Sequence, residues 1–592
     1  MLSVAHRPVS GGARPSMHPQ NRPINKALSE IADLLELQLA DPVRVRAYRR
    51  ASKIVAGFTT SVHAMHRFGT DLHDTPGLSE GLLPTIQELA ETGSCAMLQR
   101  LHADIPRELG ALLQIPHLGP QRVRTLHEEL GVTSLAELHA AALAGRLQAL
   151  PSFGPRLEHQ LLKAMTAHFG RVRRFRVDLM ERQAAERMAW VGQLAHVGRV
   201  EIAGDLRRGC DSVAEIDLVA ESTHERDVIV AFAAHRDVQE IPFAGRRRIG
   251  VVMQDSQRVN LQVAPPECFG AFWLARTGSA AHLAQLAVHA GRRHMTLDET
   301  GLARGGTTIA AAHESEIYAA LGLPWMPPEL REHLADLEAA AAGMLPILVT
   351  RADVQGDLHV RSRNGGVEHD LLPLVDAARV RGLRYIAVAD PARRQHASRD
   401  SDLSRLSRQI DVIDRLNATL TDFVILKSVH ADILSDGRLD VPDALLARLD
   451  LVMGSVGDAQ DLTRKRQTDR LLRAMDNRHF SLLARPTGRL VEERKPYAID
   501  FARVLRHARE RGCFMEASGD PARLDLDATG CRAARAAGVG VVVTSGADAA
   551  IGLDDLRHGV TQARRGSLRA EDVLNTRPAA ALLALLALTM RR

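Results

Sequence analysis

Aromatic side chains make up only 3% of the 592 residues, and none of the five cysteines forms a CxxC pair. Cys95, Cys210, Cys268, Cys513 and Cys531 lie far apart, so they read as reduced thiols of a cytosolic protein. No apolar run is long enough to span a bilayer; the longest, "AAALLALLAL" at 579–588, reads as a packed terminal helix. Residues 1–23 lack the apolar core of a signal peptide, and their polar, Pro- and Gly-rich composition reads as a disordered tail. A large charge excess is also missing. The formal net charge of +5 is compatible with a nucleic-acid partner without pointing to one. These features read as a soluble, cytoplasmic protein with no membrane partner. What is present is an ordinary globular composition, 45% apolar and 25% charged, on a chain too long for one core. Two to four domains are expected.

Residues 24 to about 170 read as amphipathic helices separated by the glycine turns "DTPGLSEGL", "QIPHLGPQRV" and "LPSFGPRLE". A tight glycine turn between helices presents backbone N–H groups to a phosphate, and the dipole of a neighbouring helix adds to the attraction. Three in order suggest helix-hairpin-helix modules, with Gly77, Gly119 and Gly154 at the turns and Arg122, Arg124, Arg156 and Lys163 nearby. From about 185 to 335 strands mix with helices: "GRVEIAGDL", "EIDLVAES", "RRIGVVMQ", "RVNLQVAP", then "AAHLAQLAVHAG". Beyond 346, apolar strands such as "LRYIAVAD", "DFVILKSVHADI", "CFMEASG" and "GVGVVVTSG" alternate with helices. That alternation predicts parallel β/α architecture, barrel or doubly wound. One pair stands out chemically. Glu215 and Asp217, at i and i+2 on a strand beside a Gly-Arg-Arg turn, share a face and suit a divalent cation held against a triphosphate.

In order along the chain, "PVRVRAYRRASKIV", "AGDLRRGCDSVAEIDLVAES", "FWLARTGSAAHL", "LGLPWMPPELRE", "GDLHVRS", "ADILSDGRLD", "ARPTGRL", "ARLDLD" and "HGVTQARRGSL" resemble one group of proteins. They are the bacterial family X DNA polymerases, polymerase beta-like nucleotidyltransferases, fused to a C-terminal PHP (polymerase and histidinol phosphatase) domain. The resemblance implies a multidomain α+β and α/β chain. Its parts are the tail 1–23, an 8-kDa-like helical DNA-binding domain at 24–100 and a fingers-like helix-hairpin-helix region at 101–180. A nucleotidyltransferase palm and thumb follow at 181–335, and a PHP-type (β/α)7 barrel at 336–592. The implied activities are DNA-directed DNA polymerase and PHP 3′-5′ exonuclease, in DNA repair.

Carried over residue by residue, the motifs depart from the family pattern. Nucleotidyl transfer uses two metal ions ~4 Å apart, held in the family by three aspartates; the matching positions are Glu215, Asp217 and Asn260. Glutamate keeps the charge but moves the oxygens, which Mg²⁺ tolerates poorly. Asn260 removes a charge and cannot take a proton from a primer hydroxyl. An incoming dNTP would meet Gly204, Arg207, Arg208, Thr277, Gly278 and Ser279. Asp205 stands in place of the family's serine there, an anion facing anions, and Ala275-Arg276 replace an aromatic pair. The lyase lysine position falls on Thr85, which cannot form a Schiff base. Each hairpin keeps one glycine of two, which weakens the expected grip on DNA.

The PHP motifs depart further. A PHP barrel holds a metal cluster, mostly on histidines, at the C-terminal ends of its strands. "DLHVR" keeps His359 but places Arg361 where a second histidine belongs, and the acidic residue of the next loop corresponds to Gly366. The family's T-D-H reads Ala389-Asp390-Pro391, other ligand positions fall on His430, Gly457 and Arg485, and the closing D-A-H reads Gly546-Ala547-Asp548. His359, His430 and Asp548 are what is left to ligate a metal, so the expectation is a barrel without its cluster. The chain thus reads as a DNA-binding family member with both catalytic centres eroded. Mg²⁺ or Mn²⁺ would occupy the palm if it is active, gapped or nicked duplex would be the partner, and the bound protein would lie on the nucleoid. Two alternatives stand beside this: an active, Mn²⁺-preferring gap-filling polymerase, and a non-catalytic scaffold for a repair protein.

Overall fold

The computed structural model describes residues 21–589 apart from 39, parts of 59–77, 93–94, parts of 105–117 and 133–145, parts of 152–173, and 363–367, 394–398 and 458–459. Residues 1–20 of the expected tail therefore lie outside the described residues. The chain divides into two compact units, Met1–Val172 and Arg173–Arg592.

The first unit is helical. Helix Arg22–Leu37 has a proline in its first turn, where a fixed φ and a missing N–H are suited to a helix start. Helix Pro42–Gly57 is capped by Asp41, whose side chain accepts the Val43 N–H at 2.9 Å. Leu28, Ile31 and Leu35 recur at helical spacing and are buried with Val45, Tyr48, Val55, Ile86 and Leu126 in one core.

The second unit begins with strands β1 (Phe175–Arg176), β2 (Val200–Ile202), β3 (Ser212–Val213), β4 (Ile216–Glu221), β5 (Val238–Ala244), β6 (Arg248–Met253) and β7 (Arg258–Ala264). Five of them form a sheet in the order β2-β4-β7-β6-β5, with β4 and β7 parallel and the other neighbours antiparallel. The apolar patterns foresaw β2, β4, β6 and β7. β5 escaped them because it is an edge strand that contains a proline and exposes nearly every residue, so it carries no apolar stripe. Next come helices Phe269–Thr277 and Ala280–Gly291 and a small antiparallel sheet of β8 (Thr296–Asp298), β9 (Gly301–Arg304) and β10 (Thr307–Ala310).

The remaining strands are β11 (Gly356–Val360), β12 (Tyr385–Val388), β13 (Val424–Asp432), β14 (Leu451–Ser455), β15 (Leu482–Leu483), β16 (Phe514–Ser518) and β17 (Val541–Thr544). They are parallel and pair strictly in chain order. A doubly wound sheet would reverse direction partway, so this order selects the barrel. Its two edges meet through side chains: Ser545 donates its backbone N–H to Asp357, and Asn575 spans β11 and β17. Alternate strand residues sort into two clusters. Leu358, Tyr385, Leu426, Met453, Leu482, Phe514 and Val542 fill the interior, while Ile386, Ile425, Val452, Leu483, Met515 and Val543 pack under the helices. Toward the C-terminal ends the interior set turns polar, with Ser428, His430, Ser455, Glu516 and Thr544 buried there. Helix Ala579–Thr589, the apolar run of the sequence, adds Leu582 and Leu586 to the interior cluster. Among the described residues no helix is long and apolar enough to cross a membrane.

The β2–β7 sheet and the barrel share a seam. Val491 and Leu524, from loops after β15 and β16, are buried in the core of the β2–β7 sheet. Arg489 pairs with Asp211 and with Asp527 (3.0 Å), and Gln562 donates to the Gly209 carbonyl at 3.1 Å.

Candidate functional site

Parallel pairing of β4 with β7 sets Asp217 opposite Asn260. Asn260 Nδ2 donates to Asp217 Oδ1 at 2.9 Å. A carboxylate accepts only, so the amide has to present its N–H₂ there and turn its own oxygen elsewhere. That oxygen faces Gly250 of β6, where a Cβ would lie 2.9 Å away. Gly204 is fixed by the same crowding: its φ is +63°, and a Cβ would lie 2.2 Å from Asp217 Oδ2. Glu215 immediately precedes β4 and is half-buried. Burial, and then the Glu215 charge, push the Asp217 carboxyl up to about 6, while Asn260 and Arg248 act the other way. A cation between the two carboxylates would relieve that repulsion. Glu215 and Asp217 therefore fit one divalent ion. A second ion needs a further carboxylate, and at that place Asn260 offers an amide already donating to Asp217. Among the described residues no group of three His, Cys, Asp or Glu side chains is placed to hold a metal.

The expected nucleotide-binding residues come together, with their guanidiniums turned inward. Arg207 makes a bidentate pair with Glu314 (2.6 and 2.8 Å), donates to Thr277 Oγ1 at 2.6 Å and lies 3.3 Å over the Trp273 ring. Arg208 bonds Glu332 (2.8 Å), Asp205 (2.6 Å) and the Thr277 carbonyl. Gly278 has φ +69°, and Ser279 Oγ donates to the Arg331 carbonyl at 2.6 Å. Asp205, expected as an anion facing the phosphate anions, is neutralised by Arg174 (2.8 Å) as well as Arg208. Arg276 pairs with Glu299 at 3.0 Å. Sequence reasoning missed Glu314 and the fully buried Arg331, which bond each other at 2.9 and 3.0 Å. Burial would raise the Glu314 carboxyl, but Arg207 and Arg331 outweigh it and hold it down to about 2. The usable signal was an acidic first helical turn in "HESEIY" with "PELRE" shortly after.

In the helical unit, Gly119 caps helix Pro120–Leu130 with φ −82° and ψ 167°, a conformation open to any residue. A Cβ at Gly119 or at Gly154 would meet nothing within 4 Å. Neither strain nor crowding inside the fold requires glycine there; what it leaves is backbone open to close approach. Arg122 and Arg124 are half-buried on the following helix, with Arg124 bonded to Glu128 at 3.1 Å. Gly77, Arg156 and Lys163 lie outside the described residues. Thr85 sits half-buried in the first turn of helix Leu83–Thr92.

At the C-terminal ends of the barrel strands, His359 and His430 meet edge to face, with ring centroids 4.9 Å apart. Both are engaged within the protein. His359 Nδ1 bonds Glu516 Oε1 at 2.6 Å, and His430 Nε2 bonds Ser455 Oγ at 2.7 Å. Glu516 also accepts from Thr544 Oγ1 (2.8 Å) and from the Arg485 backbone N–H (2.9 Å). Burial, then His359, Arg485 and Arg361, hold His430 well below the ordinary imidazole range. Asp390 accepts from Ser362 N (2.7 Å) and Gln409 (2.8 Å). Asp548 and Gly457 are exposed, and Gly366 lies outside the described residues. Among the described residues His359 keeps Nε2 without a partner, but guanidiniums beside only two histidines do not fit a cluster of divalent metals. Glu516 was missed, although a lone glutamate inside the apolar "CFMEASG" strand was a usable signal.

Known proteins match along the same lines. Residues 19–95 match the helix-hairpin-helix domain, 109–165 the SAM-like helix-hairpin-helix tandem, and 272–332 the DNA polymerase beta thumb. The DNA polymerase/3′-5′ exonuclease PolX of Bacillus subtilis is 29% identical over 565 residues, 95% of this chain and 98% of its own length. DNA polymerase lambda of Arabidopsis thaliana is 21% identical over 355 residues, 52% of this chain and 62% of its own length. A probable phosphatase of Caldanaerobacter subterraneus is 35% identical over 98 residues, 16% of this chain and 35% of its own length.

Proposed function

Because the chain belongs to the DNA polymerase X family, with a PHP-like barrel at its C-terminus, we propose that it is a DNA-binding repair protein in which the family's two reactions have lapsed. The observation that carries this reading is the Asn260–Asp217 hydrogen bond. Two-metal transfer needs a third carboxylate to draw the proton from the 3′-hydroxyl, and an amide that itself donates to Asp217 cannot accept that proton. Arg207 and Arg208 are spent on Glu314, Glu332 and Asp205, so a triphosphate would have to break ion pairs to reach them. The grip on DNA is better supported. Open glycine backbone ahead of helices at Gly119 and Gly154 suits phosphates, with cations on the helix that follows Gly119. The protein holds gapped or nicked duplex as an accessory or sequestering factor, in the cytoplasm and on the nucleoid.

The test is single-nucleotide gap filling with Mg²⁺ and with Mn²⁺, beside an anisotropy isotherm on the same gapped duplex at two salt concentrations. The expected outcome is salt-sensitive binding without incorporation. Incorporation that vanishes in Asp217→Ala overturns the non-catalytic reading, and affinity that ignores salt favours a protein scaffold instead. One observation favours a second reading: burial and the Glu215 charge raise the Asp217 carboxyl, as at a cation site. Weak incorporation with Mn²⁺ alone would select it, because Mn²⁺ accepts the looser geometry.

A further inference from the structure

The barrel mouth carries a chemistry that its metal motifs do not describe. Arg361 directly follows β11, Arg485 lies just past β15 and Arg523 in the loop after β16, so the chain brings three arginines to the C-terminal ends of the strands. All three act electrostatically on His430, and Arg361 and Arg523 both act on Arg485. Two carboxylates face them: Glu516, taken up by His359, Thr544 and the Arg485 backbone, and Asp520, 3.3 Å from Arg523. Burial and the other two arginines push the Arg485 guanidinium down to about 10. Its backbone sits at φ +48°, a conformation that residues with a Cβ seldom hold. Two buried nitrogens there lack a hydrogen-bond partner among the described residues: Arg361 Nε, a donor, and Nε2 of His359. The latter accepts while Nδ1 donates to Glu516, and so suits a P–OH group.

We propose that the barrel mouth is a metal-free anion site for a phosphate group, built from Arg361, Arg485 and Arg523 over His359. Guanidinium forks match pairs of phosphate oxygens, and an oxyanion among three of them offsets the repulsion that their clustering costs. The ligand is a tetrahedral phosphate, either free or at the end of a nucleic-acid strand. The site depends on the barrel alone, so its failure is distinguishable from failure of gapped-DNA binding.

Calorimetric titration of the full-length protein with inorganic phosphate, in EDTA and at ionic strength held constant with KCl, tests it. The expected result is saturable one-site binding that EDTA leaves intact and that weakens at least tenfold in Arg361→Gln and in Arg485→Gln. In chloride buffer Arg485→Gln should melt no lower than the parent, because it removes a crowded charge. Should it unfold, Arg523→Gln at the rim carries the same comparison. Competition by a 5′-phosphorylated but not a 5′-hydroxyl oligonucleotide supports a strand end as the ligand; phosphate binding without competition supports free phosphate. Absence of phosphate binding beyond KCl, binding that EDTA removes, or unchanged affinity in the arginine variants overturns the proposal.

Discussion

Asn260 donates to Asp217 because parallel strands set them side by side, and a change of one atom type reverses what that pairing does. In Asn260→Asp the donor becomes a third carboxylate beside a group already pushed up to about 6. Without metal the variant should be destabilised by about 1–3 kcal/mol, from the lost hydrogen bond and the added like charge. With Mn²⁺ the order should invert, the variant binding the ion at least tenfold more tightly than the parent. Urea unfolding in EDTA and calorimetric Mn²⁺ titration check the two halves. His282 gives a second test at this scale. It is buried and bonded through Nε2 to the Tyr318 hydroxyl at 2.8 Å. Burial, and then Arg331, hold its imidazole down to about 3, from an ordinary 6.5. Between those values the unfolded chain binds the extra proton, so stability rises with pH across that window and is lost as pH falls below 6.5. His282→Gln should flatten this loss by about 1–2 kcal/mol between pH 6.5 and 5, read from urea unfolding of both proteins at the two pH values. The i, i+2 carboxylates were legible because strand spacing alone relates them, and Asn260 because it falls on the third aspartate position of the family motif. The Arg174–Asp205 and Arg207–Glu314 pairs were not, since their partners lie far apart in sequence and meet only through the fold.

Among the elements, the barrel strands were legible as near-continuous apolar runs, because each is covered on both faces. Their closure was not, because it runs through side chains, Asp357 to Ser545 and Asn575, that no strand pattern marks. Asn575 Nδ2 donates to Gly356 O and Val543 O, both at 2.7 Å, and Oδ1 accepts the Val543 N–H at 3.1 Å. It ties the start of β11 to β17, while Ser545 and Asp357 join the edges further along. Asn575→Ala leaves three buried backbone groups unpaired and should cost about 2–4 kcal/mol. Amide exchange should accelerate first at 356–360 and 541–544. Exchange that rises evenly across the barrel would show that Asn575 is not the closing device.

On the scale of the molecule, the domain boundary read near 335 divides what the structure packs together. Leu524 lies in the barrel by sequence, yet it is fully buried in the core of the sheet that carries Asp217, with Val491 beside it. Gly209, in the expected phosphate-binding turn, has φ +68° and would place a Cβ 2.2 Å from Thr561 of the barrel. Arg489 ties Asp211 of that same turn to Asp527. The barrel therefore holds the polymerase-like sheet in shape, a role that needs neither metal nor turnover. Leu524→Ala should destabilise by about 2–4 kcal/mol as a core cavity, and the damage should appear across the seam. Hydrogen exchange should quicken in β4 and β7 at least as much as in β16 and β17, and gapped-DNA affinity carried by the helical unit should be unchanged. Were exchange to quicken in the barrel strands alone, the sheet would stand without its brace, and the barrel's contribution would rest on its own binding chemistry.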